Sequence, residues 1–141
     1  MISLKKFIGV FLLVIIFVFA GTFMFSNDFS NITKIEYEKY NYSEGKFGEV
    51  IIIENNHSIS QLTKILNKAN HQNNMYEKTK HEDFKITLYY EDDTSEIIRV
   101  WKDFGQDYDL LESATRVGTY KLKNKKSRKA LYNILNLQGK E

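Results

Sequence analysis

The chain holds 141 residues, with 20 Lys and Arg against 18 Asp and Glu, three His, and neither Cys nor Pro. Without cysteine it has no disulfide, thiolate zinc site, iron–sulfur cluster, thiol redox chemistry or lipid-bearing cysteine. The net charge of +2 includes Lys5 and Lys6 ahead of the first apolar run, which leaves no overall field for nucleic acid.

The length suits one targeting segment and one domain. About 115 residues remain after the first ~25, enough to bury roughly two-thirds of the unfolded surface without cross-links. The lean towards Lys, Asn, Ile and Tyr matches the coding of a low-GC Gram-positive bacterium.

Phe7 to Phe25 carries no charge. At 1.5 Å per residue such a helix spans roughly 28 Å, close to the hydrocarbon thickness of a bilayer. Lys5 and Lys6 precede it and Asp28 is the first charge after it, so the positive-inside rule puts Met1 in the cytoplasm and the remainder outside. A cleaved signal peptide, giving a secreted protein, is the competing reading, with Val18-Phe19-Ala20 as a small-x-small site. The apolar residues that would follow the cut, Gly21 to Phe25, favour an uncleaved anchor. A buried core helix would show a polar face, and this segment has none. Residues 1–25 are therefore expected to be the anchor or signal peptide, 26–31 a polar linker, and 32–141 an extracytoplasmic domain.

Ile32 to Tyr42 alternates in part, with Ile35 and Tyr37 opposed to Glu36 and Glu38, and predicts a half-exposed strand. Ser43-Glu44-Gly45-Lys46 reads as a turn. Phe47 to Glu54, with Val50-Ile51-Ile52-Ile53, reads as a returning strand. Ser58 and Gln61 fit a capping box, and Ile59, Leu62, Ile65, Leu66 and Ala69 form the apolar stripe of a helix. It is expected to end in the Asn-rich stretch around Asn70, Asn73 and Asn74, where Asn tolerates the left-handed conformation.

Phe84 to Tyr90 alternates cleanly and predicts a strand. Glu91-Asp92-Asp93-Thr94 is a turn, and Glu96 to Trp101 pairs back. Tyr108 to Ala114 and Val117 to Leu122 predict two more strands, with Gly105 and Gly118 at turns or bulges. A last helix starts near Asn124 or Ser127, carries Ala130, Leu131, Ile134, Leu135 and Gln138 inward, and has Gly139 as its C-terminal cap. The order β β α β β β β α predicts an α+β fold: a small antiparallel sheet with helices packed on one face.

No constellation for chemistry emerges. His57, His71 and His81 lie in predicted loops without the spacing of a helical metal pair, so a His71/His81/Asp83 site is disfavoured. Asp103-Phe104-Gly105 spells a kinase tripeptide, but the other kinase motifs are missing. Glu91-Asp92-Asp93 lacks calcium-loop spacing. There is no G-x-S-x-G elbow, no Ser-x-x-Lys pair and no phosphate-binding loop. The triplets at Asn31, Asn41 and Asn56 fit glycan acceptors, which are expected by chance in so Asn-rich a chain. The chain is thus read as a non-enzyme, with no catalytic residue, cofactor or metal.

Two surface features remain. Tyr89, with Tyr90 and Trp101 on the same hairpin, is a candidate contact because tyrosine offers a large face at low entropic cost; Trp101 is expected in the core or at a sheet edge. Six bases and no acid fall between Lys121 and Lys129, while ten acids and three bases lie between Glu82 and Glu112. Lys125, Lys126, Arg128 and Lys129 crowd the first turn of the last helix, the wrong end for its dipole. That run is a candidate surface for an anionic wall polymer or lipid headgroups. A solvated face, or pairing with the chain's own acidic segment, is the plainer reading.

A lysine-flanked apolar start, an Ile-rich first hairpin, the stripe of Ile59, Leu62, Ile65 and Leu66, the strand of Phe84, Ile86, Leu88 and Tyr90 before an acidic turn, and a closing Lys-rich helix with Leu131, Ile134 and Leu135 together resemble small secreted or membrane-anchored proteins of Bacillus-type bacteria, including the group with a YhfM-like domain. The resemblance covers roughly residues 32–137 and implies an extracytoplasmic address. Several such proteins carry a lipid-bearing cysteine, which this chain lacks, and no functional residue is carried over. The expected function is a membrane-anchored extracytoplasmic module that binds a protein, peptide or envelope polymer, with no nucleic-acid partner. The alternatives are a regulatory or immunity-type membrane protein acting partly through its anchor and, third, a cell-envelope enzyme.

Overall fold

The computed structural model describes residues 3–24 and 26–137. Among them are three helices, α1 (Leu4–Met24), α2 (Asn56–Lys68) and α3 (Lys125–Leu137). Eight strands form the sheet: β1 (Ile32–Asn41), β2 (Lys46–Phe47), β3 (Ile51–Ile53), β4 (Asn70–Gln72), β5 (Phe84–Tyr90), β6 (Ser95–Trp101), β7 (Asp109–Ser113) and β8 (Thr119–Leu122). The fold is α+β. Every pairing is antiparallel, in the order β2-β1-β5-β6-β7-β8-β4, with β3 also on β1. Phe25, Gln138 and Gly139, to which the sequence assigned the end of the anchor and the end and cap of the last helix, lie outside the described residues.

Register explains the core. Ile35 sits opposite Leu88, Tyr37 opposite Ile86, and Ile86 opposite Ile98, so residues of one parity share a face. With Val100, Leu111, Tyr120 and Leu122 they form the floor on which Ile59, Leu62, Ile65 and Leu66 of α2 and Leu131, Ile134 and Leu135 of α3 pack. Leu62 is fully buried there, worth about 2 kcal/mol of transfer free energy.

Three local expectations change. The returning strand splits into β2 and β3, because Gly48, Glu49 and Val50 leave the ladder between them. The turn before β2 is set by Asn41, whose Oδ1 accepts from the backbone N–H of Ser43 (3.0 Å), and by Gly45 at φ +69°. α2 starts before the expected box: Asn55 is the cap, with its Oδ1 accepting from the N–H of Ser58 at 2.8 Å. Nor does α2 end in a left-handed Asn. Ala69 is already extended (φ −63°, ψ 145°) and the chain runs straight into β4, an edge strand on β8. His71 therefore lies in a strand and His57 in the first turn of α2 rather than in loops.

The other face of the sheet is partly covered by chain. From β4 at one edge, residues 73–83 return to β5, passing over β6 to β8. The Trp101 indole N–H donates to the carbonyl of Lys80 (3.1 Å), Lys78 lies over the Trp101 ring and pairs with Glu112, and Tyr76 packs edge-on to Phe104. Trp101 is left 4% exposed and Leu110 not at all, a second small core beneath this crossing.

α1 makes no such core. From Phe7 to Ile16 its large apolar side chains are all more than one-third exposed, on every side of the helix. Among the described residues no helix is long and apolar enough to cross a membrane; the stretch Phe7–Ile16 alone would rise only about 15 Å.

Candidate functional site

The strands run between two ends. One, the entry end, is where the chain leaves α1 and enters β1. The far end holds the β1–β2 turn, the residues after Trp101 and the start of α3.

At the entry end the segment expected as a linker is strapped down. The Asn27 side-chain amide donates to the carbonyls of Leu66 (2.8 Å) and Ala69 (2.6 Å), satisfying the C-terminal end of α2. Asn67 and Phe29 bond reciprocally, Phe29 N–H to Asn67 Oδ1 at 2.7 Å and Asn67 Nδ2 to the Phe29 carbonyl at 2.8 Å. Phe29 itself is buried in the core.

Arg116 completes the clamp. Its Nη1 donates to the Asn27 carbonyl (2.8 Å), its guanidinium lies 3.8 Å from the centre of the Phe29 ring, and its Nε donates to Glu96 Oε2 (2.8 Å). Glu96 is only 5% exposed. It also accepts from Tyr90 (2.6 Å), Ser113 and Thr115 (3.2 Å). Burial works to raise its pKa, but the hydrogen bonds of Arg116, Ser113 and Tyr90 outweigh that and hold the carboxyl below its ordinary value. Tyr90 responds oppositely: burial and the bond to Glu96 push its phenol up to about 12. Beside this clamp a cleft of about 690 Å³ opens between Asn27, Asp28, Lys68, Asn70, His71 and Tyr120. The His71 ring hydrogen-bonds the Val117 carbonyl at 2.8 Å.

At the far end the basic run resolves into two groups. Arg128 is taken inward: Nη2 donates to Asp109 Oδ1 (3.1 Å) and to Asp103. Asp109 is fully buried and also accepts from Tyr132 (2.7 Å) and from the backbone N–H of Asp103 (2.8 Å). Burial and the bond to Asp109 raise the Tyr132 phenol. For Arg128 burial opposes the charge, yet Asp109 and Tyr132 more than compensate. Lys121 lies over the rings of Tyr76 (4.9 Å) and Tyr108 (4.5 Å). Lys123, Lys125, Lys126 and Lys129 stay exposed, and among the described residues none of them forms an ion pair.

Tyr89 belongs to neither end of this basic run. It lies on the helix-free face near the entry end, opposite Ser95, half-exposed, with its hydroxyl donating to Glu36 Oε2 (2.9 Å) and Lys34 over its ring at 4.2 Å. The structure therefore brings Lys125, Lys126 and Lys129 together, turns Arg128 inward to anchor α3, and leaves Tyr89 apart. Histidine placement is similarly dispersed: His71 lies by the entry-end cleft, whereas His81 stacks on Tyr40 at the far end (3.8 Å, 7°). Among the described residues no group of three or more His, Asp or Glu is arranged to hold a metal ion.

Tyr40 and Tyr42 stand close together in the sequence, but what sequence reading missed is that Phe47 and His81 pack with them into one aromatic cluster. Tyr42 caps it by donating to the His81 carbonyl and to Asp83 Oδ1 at 3.3 Å, and burial, with Asp83, pushes its phenol up to about 12. The signal lay in the parity of Tyr40 and Tyr42, but their partner His81 is thirty-nine residues from Tyr42 and no local pattern links them. No protein-family model, no curated protein and no solved structure matches the chain.

Proposed function

We propose that the chain is a single-pass membrane protein whose domain, residues 32–141, works outside the cytoplasm as an interaction module. The observation that carries this is α1, a helix whose first turn holds Lys5 and Lys6 and whose apolar side chains from Phe7 to Ile16 are exposed on all sides. Water is a poor solvent for such a surface, and lipid satisfies it without a protein partner. With the sequence up to Met24 counted, the uncharged run from Phe7 rises about 27 Å as a helix, which matches the hydrocarbon layer. The two lysines orient it with Met1 inside. The resemblance to anchored and secreted proteins of Bacillus-type bacteria points to the same address.

A strap of hydrogen bonds from Asn27 to Phe29 then ties the domain to its anchor within a few residues, so the entry end faces the bilayer and the far end faces away. Fractionation of tagged full-length protein, with mass spectrometry of its N-terminus, tests this reading. Intact Met1 in the membrane fraction is the expected result. A mature N-terminus near Gly21 in the medium, or intact protein in the soluble cytoplasmic fraction, would overturn it.

A further inference from the structure

The geometry points to the start of α3 as a docking surface for a phosphate-rich polyanion held away from the membrane. We infer that Lys123, Lys125, Lys126 and Lys129 bind it, while Arg128 positions the helix beneath them. Three observations combine. The four lysines are exposed and have no ion-pair partner among the described residues. The two acids nearest α3, Asp103 and Asp109, are already paired with Arg128. The lysines also sit where the helix macrodipole is positive, so their charge is unneutralised from two sources at once, and an anion relieves both.

The place of the cluster selects the partner, and this step rests on the anchored reading above. Through the pairs Tyr120–Leu111, Leu111–Val100, Val100–Phe84 and Phe84–Lys39, Tyr120 is level with Lys39, and α3 begins beyond that level, past Leu122. Lys39 is seven residues along β1 from Ile32, about 23 Å at strand rise. That is more than two Debye lengths at physiological salt, so headgroups at the entry end attract these lysines little. A repeating phosphodiester of the cell envelope, spaced along a flexible chain, reaches them and matches four separate ammonium groups.

The test uses the full chain in nonionic detergent with inorganic polyphosphate as the probe. Four contacts predict a fall in affinity of roughly 50-fold between 50 and 200 mM salt. Replacing Lys125, Lys126 and Lys129 by Gln should weaken binding at least about tenfold and flatten that slope. Removing cations from a helix N-terminus does not destabilise the helix, and unchanged Trp101 fluorescence checks the fold. Replacing the same three by Arg should keep binding, and Lys64→Gln with Lys68→Gln should leave it unchanged. Absent binding at 50 mM salt, or equal binding by the Gln variant, would overturn the proposal. So would lysine-dependent binding to nanodiscs containing anionic lipid without binding to polyphosphate, which would make lipid the partner. Detergent removes the anchor from this experiment, so its failure is separate from failure of the fractionation result.

Discussion

Arg116→Ala removes the clamp between the segment around Asn27 to Phe29 and the sheet, and its cost follows from what each lost contact leaves behind. Glu96 keeps its bonds from Tyr90, Ser113 and Thr115 but loses the one cation paired with it among the described residues. A charge-assisted bond at a buried carboxylate is worth about 1.5–3 kcal/mol, and the side chain of Arg116 is itself 27% exposed, which favours the lower half of that range. The cation–π contact on Phe29 adds about 0.5–1 kcal/mol, and the bond to the Asn27 carbonyl about as much. The expected loss is about 3 kcal/mol, or a fall in Tm of roughly 12 °C for a domain of this size. Denaturant unfolding of the full chain in detergent reads it through Trp101, the single tryptophan, which is buried. Glu96→Gln supplies the other corner of a double-mutant cycle, and a coupling of at least about 1 kcal/mol is expected. The pH dependence has a definite sign. The native Glu96 carboxyl is held below its ordinary value, so its contribution is complete above the unfolded value of about 4.3 and is lost as pH falls through the lower native one. Glu96→Gln should therefore be less stable at neutral pH and lose less on acidification. A change under 0.5 kcal/mol for Arg116→Ala, with no coupling to Glu96, would refute the clamp.

Three further substitutions probe the rest of the frame. Asp109→Ala leaves Arg128 with only the exposed Asp103, and should cost about 2–4 kcal/mol by denaturant titration, with the start of α3 losing hydrogen-exchange protection first. Gly118→Ala should free the β4 edge: Gly118 has φ +86° and a methyl group there would collide with the Gln72 carbonyl oxygen, so amide exchange at Asn70 to Gln72 should rise sharply while α2 stays protected. Leu62→Ala should cost about 2–5 kcal/mol by equilibrium unfolding, because the residue is fully buried between α2 and the sheet.

The parts of this fold legible in sequence are those in which apolar periodicity and burial coincide. Phe84, Ile86 and Leu88 advertise β5, and Ile59, Leu62, Ile65 and Leu66 advertise α2, because each stripe is the core contact itself. β4 was hidden because Asn70, His71 and Gln72 carry no apolar pattern; their pairing to β8 is a backbone event at an edge. The split between β2 and β3 was hidden by the run Val50 to Ile53, in which β-branched residues favour a strand whether or not a partner is present. The two buried carboxylates that pair with arginine did leave a trace. Glu96 shares parity with Ile98 and Val100, and Asp109 with Leu111, so each acid falls on the core face of its strand. An inward acid demands a cation. What the pattern does not carry is which one, since Arg116 lies twenty residues from Glu96 and Arg128 nineteen from Asp109.

Those two pairs divide the work of the domain between its ends. Each uses an arginine, whose planar fork serves several oxygens at once, to neutralise a buried acid and to hold a neighbouring piece of chain: the segment around Asn27 in one case, the start of α3 in the other. Because both arginines are spent internally, the cations presented to solvent at the start of α3 are lysines. Lysine ammonium groups on flexible stems suit a partner that offers many separate phosphates in no fixed geometry, whereas a single rigid phosphate site would call for arginine forks. The segment that follows α1, meanwhile, is tied to the core through Asn27, Phe29 and Arg116, and through Arg116 to β6 at Glu96. The same strand ends at Trp101, beneath the crossing chain at the far end. In the anchored arrangement proposed above, the sheet between the clamp and the lysines sets their height over the bilayer, and a shorter β1–β5 ladder would lower them into the reach of lipid charge.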